Sequence, residues 1–219
     1  MPLKKIFILF FMLNGMFISI QSQQLADSSA YNPGLIMIGN AKTATDFKQA
    51  AAYFEDLSVQ NPSHWLSLYY SALCYIQASH KLEENKERDG MLDKAQPLID
   101  KAGKINPKEP EIFILQAFLY QSRIQVNPQL RGMSYSSKAE TSLKKATGAD
   151  DKNPRAWSLL AYNLYFTPAL FGGGPEKALP FFEKARDKYH TFKPLMSFYP
   201  HWGEPENLHM IAECRNSVK

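Results

Sequence analysis

Four ionisable side chains near the C-terminus have the types that could hold a metal ion: His190, His201, His209 and Glu213. His209 and Glu213 are four residues apart, which places them on one face of a helix. A zinc site needs three or four convergent ligands at characteristic spacings, such as His-Glu-x-x-His, and the sequence lacks that pattern. Its Ser, His and Asp residues form no nucleophile motif either. The sequence therefore predicts no metal site, no cofactor and no enzymatic activity.

A run of three glycines is the second group with a possible chemical role, because glycine amides ahead of a helix can bind phosphate. A phosphate-binding loop also needs a preceding strand and a following Gly-Lys-Ser/Thr, and neither is found here. A tight loop between two helices explains the run better. A neighbouring predicted turn could still form a ligand site with it, and the residues of this loop edge are Arg131, Gly132, Phe171, Gly172, Gly173 and Gly174.

The charge balance excludes a nucleic-acid partner. The chain of 219 residues carries 25 basic and 21 acidic residues. Lys4 and Lys5 belong to a segment that we expect to be removed, which leaves 23 basic residues against 21 acidic ones. A nearly neutral chain without a basic run has no electrostatic footprint for nucleic acid.

The N-terminus predicts export. Lys4 and Lys5 precede an apolar stretch from Ile6 to Ile20, and Ser22 offers a small residue before a cleavage site. A retained membrane anchor is the alternative, but it needs about 20 apolar residues. We therefore predict a signal peptide over residues 1–22, a flexible segment over 23–34, and a periplasmic or secreted protein with no stable membrane insertion after cleavage.

From about Leu35 to Ala212, apolar residues recur at helical spacing, and no segment alternates like a strand. A repeat of helix pairs would show one pattern on the first helix of each pair and another on the second. The second-helix pattern of small and bulky residues occurs four times: Ala50, Phe54, Leu57, Pro62; Ala95, Ile99, Ala102, Pro107; Ala139, Leu143, Ala146, Pro154; and Ala178, Phe182, Ala185. A first-helix pattern occurs three times: Leu68, Ser71, Ala72, Tyr75; Phe113, Gln116, Ala117, Tyr120; and Trp157, Leu160, Ala161, Leu164. The order of these half-motifs indicates a helical repeat over residues 35–190.

These patterns have a physical basis. Small residues such as Ala72, Ala117 and Ala161 let the partner helix approach closely. Asn-Pro pairs at 61–62, 106–107 and 153–154 end one helix, because proline disfavours helix in the residue before it, and start the next. Each helix pair leaves one face bare, so the pairs stack into a continuous core.

On these motifs the chain resembles tetratricopeptide repeat (TPR) proteins. The stretch from Asn153 to Leu179, with Phe171-Gly172-Gly173-Gly174-Pro175 inside it, also resembles small exported TPR proteins of Bacteroidetes-type bacteria. The predicted fold is all-α: a right-handed stack of antiparallel helix pairs, or TPR-like α-solenoid. Residues 191–219 follow as an aromatic, Pro-rich segment and a capping helix. Three long turns, 79–91, 126–137 and 167–176, are expected to project from one edge.

The resemblance implies a concave groove lined by first-helix residues. By register these are Leu66, Tyr69, Leu73, Ile76, Ile114, Phe118, Arg155, Tyr162, Tyr165 and Phe166. Such a groove would bind a protein or peptide partner, unless a short stack closes this face over its own helices. A clamp for a C-terminal carboxylate is not expected, since Arg155 is the lone basic candidate.

Two functions from different classes follow. The leading hypothesis is an exported scaffold that binds a protein or peptide through the apolar groove. The alternative is a binding module for a small molecule or glycan at the loop edge, and an enzyme ranks third. Cys74 and Cys214 could pair in an oxidising compartment, although Cys74 falls in an apolar helical run typical of a buried thiol.

Overall fold

A computed structural model describes residues 29–217, and this part of the chain is helical with no strand. Residues 29–40 form α1 within it. The helices that follow are α2 (Ala44–Gln60), α3 (Trp65–Ser79), α4 (Asn85–Ile105), α5 (Pro110–Val126), α6 (Pro128–Ala149), α7 (Pro154–Phe166), a 3-10 turn (Ala169–Phe171), α8 (Pro175–Thr191) and α9 (Glu204–Ser217). Successive helices from α2 onward pack against each other.

The helix ends follow from local chemistry. Thr43 and Asp46 form a capping box at the start of α2, with each side chain bonded to the other's backbone amide. Asn153 accepts a hydrogen bond from the backbone N–H of Arg155, and Pro154 occupies the first position of α7. At the two earlier Asn-Pro pairs the asparagine ends a helix, but the proline lies in the connecting turn.

Small residues at the predicted crossing points are fully buried. The alanines at 72, 117 and 161 on the first helices and at 95, 139 and 178 on the second helices have no exposed surface. Their bulky neighbours Phe54, Leu92, Leu143 and Phe182 fill the core around them. The repeat register deduced from the sequence therefore matches the packing of the helices.

Two of the three predicted long turns are wrong. The turn expected over residues 79–91 is shorter, because α4 already begins at Asn85. The chain from Val126 to Ser137 was expected to be a long turn, yet Asn127 alone separates α5 from α6. The Asn127 backbone N–H donates to Ile124 O, and its side chain accepts from the N–H of Leu130, so a single residue caps both helices. Pro128 then opens α6, which continues through Gly132.

At the N-terminus, residues 29–34 are helical although they fall in the segment predicted to be flexible. Tyr31 is buried there, and its ring stacks on Phe198 with centroids 5.1 Å apart. The predicted signal peptide lies outside the described residues. Within the described residues, no helix is long and apolar enough to cross a membrane.

The C-terminal part has two elements. Residues 192–203, which we call the strap, run back over α3 and pack on its side chains. Helix α9 packs on α8 through Met210, Ile211 and Cys214. The second element matches the predicted capping helix. Cys74 and Cys214 are separate buried thiols, so the alternative of a disulfide is not found.

Candidate functional site

The strap fills the N-terminal half of the concave face. Tyr70 donates its hydroxyl proton to the Phe198 carbonyl oxygen at 2.7 Å, and Trp202 Nε1 donates to the Tyr69 hydroxyl at 2.9 Å. The Trp65 and Tyr199 rings meet edge to face, 5.8 Å apart. Aromatic rings from the strap therefore occupy the space where a peptide would lie in an open groove.

A buried ion pair sits beneath the strap. Arg155 Nε donates to both carboxylate oxygens of Glu111 at 3.1 Å, and Arg155 Nη2 also donates to Glu111. Asn153 Nδ2 and the Tyr69 hydroxyl donate to the same carboxylate, at 2.5 and 3.3 Å. The Phe192 ring of the strap lies 4.6 Å from the guanidinium carbon. These groups join α3, α5, α7 and the strap, so Arg155 holds the fold together rather than facing a partner.

Six of the ten residues predicted to line the groove are buried: Leu66, Tyr69, Leu73, Ile76, Ile114 and Arg155. Phe118, Tyr162 and Tyr165 are half-buried, and Phe166 is exposed. The Phe118 ring lies 5.5 Å from Trp202, and Tyr162 stacks on Phe166 with centroids 6.4 Å apart. The accessible part of the predicted groove is thus its C-terminal end.

Large exposed hydrophobic side chains lie at the start of α6, at the end of α7 and in the loop that follows α7. Five of them are 65–89% exposed, and we call them the apolar edge: Leu130, Met133, Phe166, Leu170 and Phe171. Large apolar side chains that stay exposed on a folded protein are candidates for a binding surface, because their contact with water is unfavourable.

The backbone explains why Met133 and Phe166 lie at the same end of the helix pair α6 and α7. Ser136 Oγ donates to Asn163 Oδ1 at 3.1 Å, and this contact joins the first half of α6 to the last turn of α7. The two helices are joined by a short turn at their other ends, so they run antiparallel. Met133 lies about one turn before Ser136, and Phe166 lies one turn after Asn163. Both side chains therefore reach the same end.

The glycine run shapes the loop that presents Leu170 and Phe171. Gly172 and Gly174 have φ angles of +81° and +108°, which favour glycine. A Cβ on Gly173 would lie 2.6 Å from the Leu164 carbonyl oxygen and collide with that of Thr167. The N–H of Gly174 donates to Leu164 O at 2.9 Å. The three glycines thus fold the loop against the end of α7.

Arg131 and Gly132, the other predicted loop-edge residues, lie in the first turns of α6. Both Arg131 Nη atoms donate to the Asp89 carboxylate, at 2.6 and 2.7 Å, and this contact ties α6 to α4. The Arg131 guanidinium holds the pKa of Asp89 below its usual range through that hydrogen bond. Gly132 is half-buried within the helix.

Sequence reasoning missed Leu130, Met133 and Leu170. Leu130 and Met133 lie in a segment expected to be a turn, where an apolar residue carries no periodic signal. Because α6 begins at Pro128, Leu130 and Met133 lie outside its buried face, which is formed by Ala139, Leu143 and Ala146. Apolar residues outside the buried face of a helix are the sequence signal that could have identified Leu130 and Met133 as exposed.

The described residues contain no group of three or more His, Cys, Asp and Glu side chains that could hold a metal ion. His80 lies beside Phe118, with the two rings 5.5 Å apart, and its Nε2 lies 2.9 Å from Ser122 Oγ. Burial, with the charges of Arg88 and Lys81, lowers the pKa of His80 to about 4. His80 is therefore neutral at pH 7.

The overall geometry matches a protein of known structure. The HusA haemophore from Porphyromonas gingivalis shares 30% sequence identity, with a TM-score of 0.78 over 88% of this chain and 94% of that one. The chain belongs to the HusA family. This match agrees with the resemblance to exported Bacteroidetes-type proteins.

A second solved structure shows the wider fold. A thermophilic TPR protein from Thermus thermophilus aligns with 94% of this chain and 98% of its own, at 17% identity and a TM-score of 0.55. At that identity the likeness concerns the fold, which is TPR-like as predicted. No family model and no curated protein sequence matches the chain.

Proposed function

We propose that this protein binds haem or a related porphyrin at the apolar edge, as a non-enzymatic carrier. The observation that carries the proposal is the exposure of Leu130, Met133, Phe166, Leu170 and Phe171, which lie at the start of α6, at the end of α7 and in the loop after α7. The kinship with a haemophore supports the choice of ligand.

The chemistry of the edge suits a porphyrin. The macrocycle is a flat aromatic ring system with apolar faces, and aromatic side chains stack against such faces with ring centroids about 4.5–7 Å apart. Phe166 is already part of an aromatic row, since it stacks on Tyr162 and meets Tyr165 edge to face at 5.0 Å. Burial of one large apolar side chain contributes about 1.5–3 kcal/mol, so two or three contacts would give useful affinity.

The same surface favours contact with the macrocycle over coordination of iron. Iron in haem proteins is held by His, Cys, Met or Tyr. Among the five residues of the apolar edge, sulfur is found in Met133 alone, and the neighbouring Tyr162 has its pKa raised to about 12 by burial, which disfavours a phenolate ligand. We therefore expect iron-free protoporphyrin to bind about as well as haem.

Absorbance titration of the purified chain with haem, and with iron-free protoporphyrin, tests the proposal. Replacing Phe166 and Phe171 together by Ala is expected to weaken binding of both by at least tenfold, or about 1.4 kcal/mol. Replacing the exposed Val59 and Ile36, which lie on α2 and α1, by Ala is the matched control and should change little. Failure of the unmodified chain to bind either porphyrin, or equal losses in both double variants, would refute the proposal.

The protein-binding groove is the weaker candidate, because the strap covers most of it. The C-terminal end of the groove stays accessible, but we assign the neighbouring apolar edge to the porphyrin rather than to a protein partner.

We also propose that the chain acts outside the cytoplasm, on the strength of the N-terminal pattern of residues 1–22. The intact mass of the exported product should correspond to a chain that begins at or near Gln23. A mass that retains residues 1–22 in the membrane fraction would contradict this.

A further inference from the structure

A cleft on another face of the stack is separate from the apolar edge. Its walls come from the second helices α4 and α6, its floor comes from α5, and its volume is about 530 Å³. That volume lies within the range typical of small-molecule sites. Gly103 on one wall and Ser142 on the other are small, which helps to keep the cleft open.

The floor of the cleft is apolar and aromatic. Phe113 and Tyr120 are seven residues apart on α5, so they lie on the same helix face two turns from each other. Both are half-buried, and Ile99 and Ile112 are buried beside them. The floor therefore offers ring surfaces that are partly open to solvent.

The rim of the cleft is basic. Lys104 on α4 and Lys145 on α6 are exposed on opposite walls. Among the described residues, Asp100 is the only carboxylate that lines the cleft, and its Oδ1 already accepts a hydrogen bond from Gln96 at 2.9 Å. The lining thus carries two ammonium groups and one carboxylate that already accepts a hydrogen bond, so its net charge is positive.

We infer that this cleft binds an anionic amphiphile. Its apolar body lies against Phe113 and Tyr120, and its carboxylate or sulfonate lies between Lys104 and Lys145. Charge-assisted hydrogen bonds from an ammonium to such an anion are about twice as strong as neutral ones, and the rings exclude water from one side of the contact. The site is independent of the porphyrin surface, because none of its lining residues belongs to the apolar edge.

Titration of the purified chain with 1-anilinonaphthalene-8-sulfonate, whose fluorescence rises in apolar sites, tests the inference. The double variant Lys104→Glu, Lys145→Glu is expected to bind the dye at least tenfold more weakly. The double variant Lys101→Glu, Lys144→Glu makes the same change of charge on the same two helices at exposed positions that do not line the cleft, and should lose less than twofold. Circular dichroism should show that both keep their helices.

A second pair of variants locates the dye without changing charge. Ser142→Trp places a large side chain in the cleft and should abolish the binding that depends on the lysines, while Phe166→Ala with Phe171→Ala should leave it intact. Equal losses in the two lysine variants would overturn the inference. So would dye binding that survives Ser142→Trp or disappears only in the phenylalanine variant. Porphyrin binding in Ser142→Trp reports separately on the proposed function.

Discussion

Replacing Glu111 by Gln should lower the free energy of unfolding strongly, although the two side chains have nearly the same shape. The carboxylate of Glu111 is the counter-ion of Arg155, and these side chains are only 4% and 1% exposed. Asn153 and Tyr69 donate to the same carboxylate. Glutamine can still accept hydrogen bonds, but it cannot balance the charge of the guanidinium.

The magnitude follows from burial. Removing one partner of a buried ion pair leaves an uncompensated charge in a medium that solvates it poorly, which costs about 3–5 kcal/mol. Arg155 Nη1 is already buried without a hydrogen-bond partner, so the site has little spare capacity to satisfy it. The Phe192 ring can offset only part of the loss, since a cation–π contact contributes about 2 kcal/mol when desolvated.

Urea unfolding followed by circular dichroism measures the effect. Asp93→Asn is the control, because Asp93 is 69% exposed and its 2.7 Å contact with Arg123 should contribute no more than about 1 kcal/mol. The apolar double variant Glu111→Leu, Arg155→Met should recover part of the stability that Glu111→Gln loses. A loss in Glu111→Gln no larger than that in Asp93→Asn would refute the role assigned to the ion pair.

Two further predictions concern the loop and the response to acid. Gly173→Ala should destabilise the protein by about 1–3 kcal/mol in thermal unfolding, because the new Cβ would meet the backbone of Thr167. Gly172→Ala should lower the stability by about 1 kcal/mol, through the positive φ of that residue alone. A larger loss of stability at Gly172 than at Gly173 would contradict the loop geometry. For His80, the folded pKa of about 4 lies below the ordinary value of 6.5, so the unfolded chain binds the proton first. The contribution of neutral His80 to the free energy of unfolding should be fully present above pH 6.5 and fall by about 3 kcal/mol as the pH drops to 4. In a pH series of unfolding measurements, His80→Asn should flatten the decrease over this range. An unchanged slope would show that His80 is not responsible.

The sequence predicted the repeat architecture because its signals are local and recur. Ala72, Ala117 and Ala161 occupy equivalent positions, and each must be small wherever the helices touch. The same logic predicted the capping helix and the buried thiol of Cys74. At Asn127, a single residue replaces the long turn that the sequence predicted over residues 126–137.

The candidate site was harder to predict, because it depends on contacts between distant parts of the chain. Nothing in the residues around Tyr69 or Tyr70 shows that Trp202 and Phe198 will cover them from 133 and 128 positions away. Arg155 looked like a groove residue for the same reason, since its counter-ion Glu111 lies 44 positions earlier. The glycines predict a loop edge that includes Phe171, but Leu130, Met133 and Leu170 can be assigned to this edge only when the helix ends are known.

The most direct test of the account is to locate a bound porphyrin by nuclear magnetic resonance with iron-free protoporphyrin, whose ring current shifts the signals of nearby protons. The account predicts that the largest shifts fall on residues 130–133 and 165–172. Shifts concentrated on residues 65–76 beneath the strap, or on the cleft residues around Phe113 and Tyr120, would contradict the assignment of the apolar edge as the ligand site.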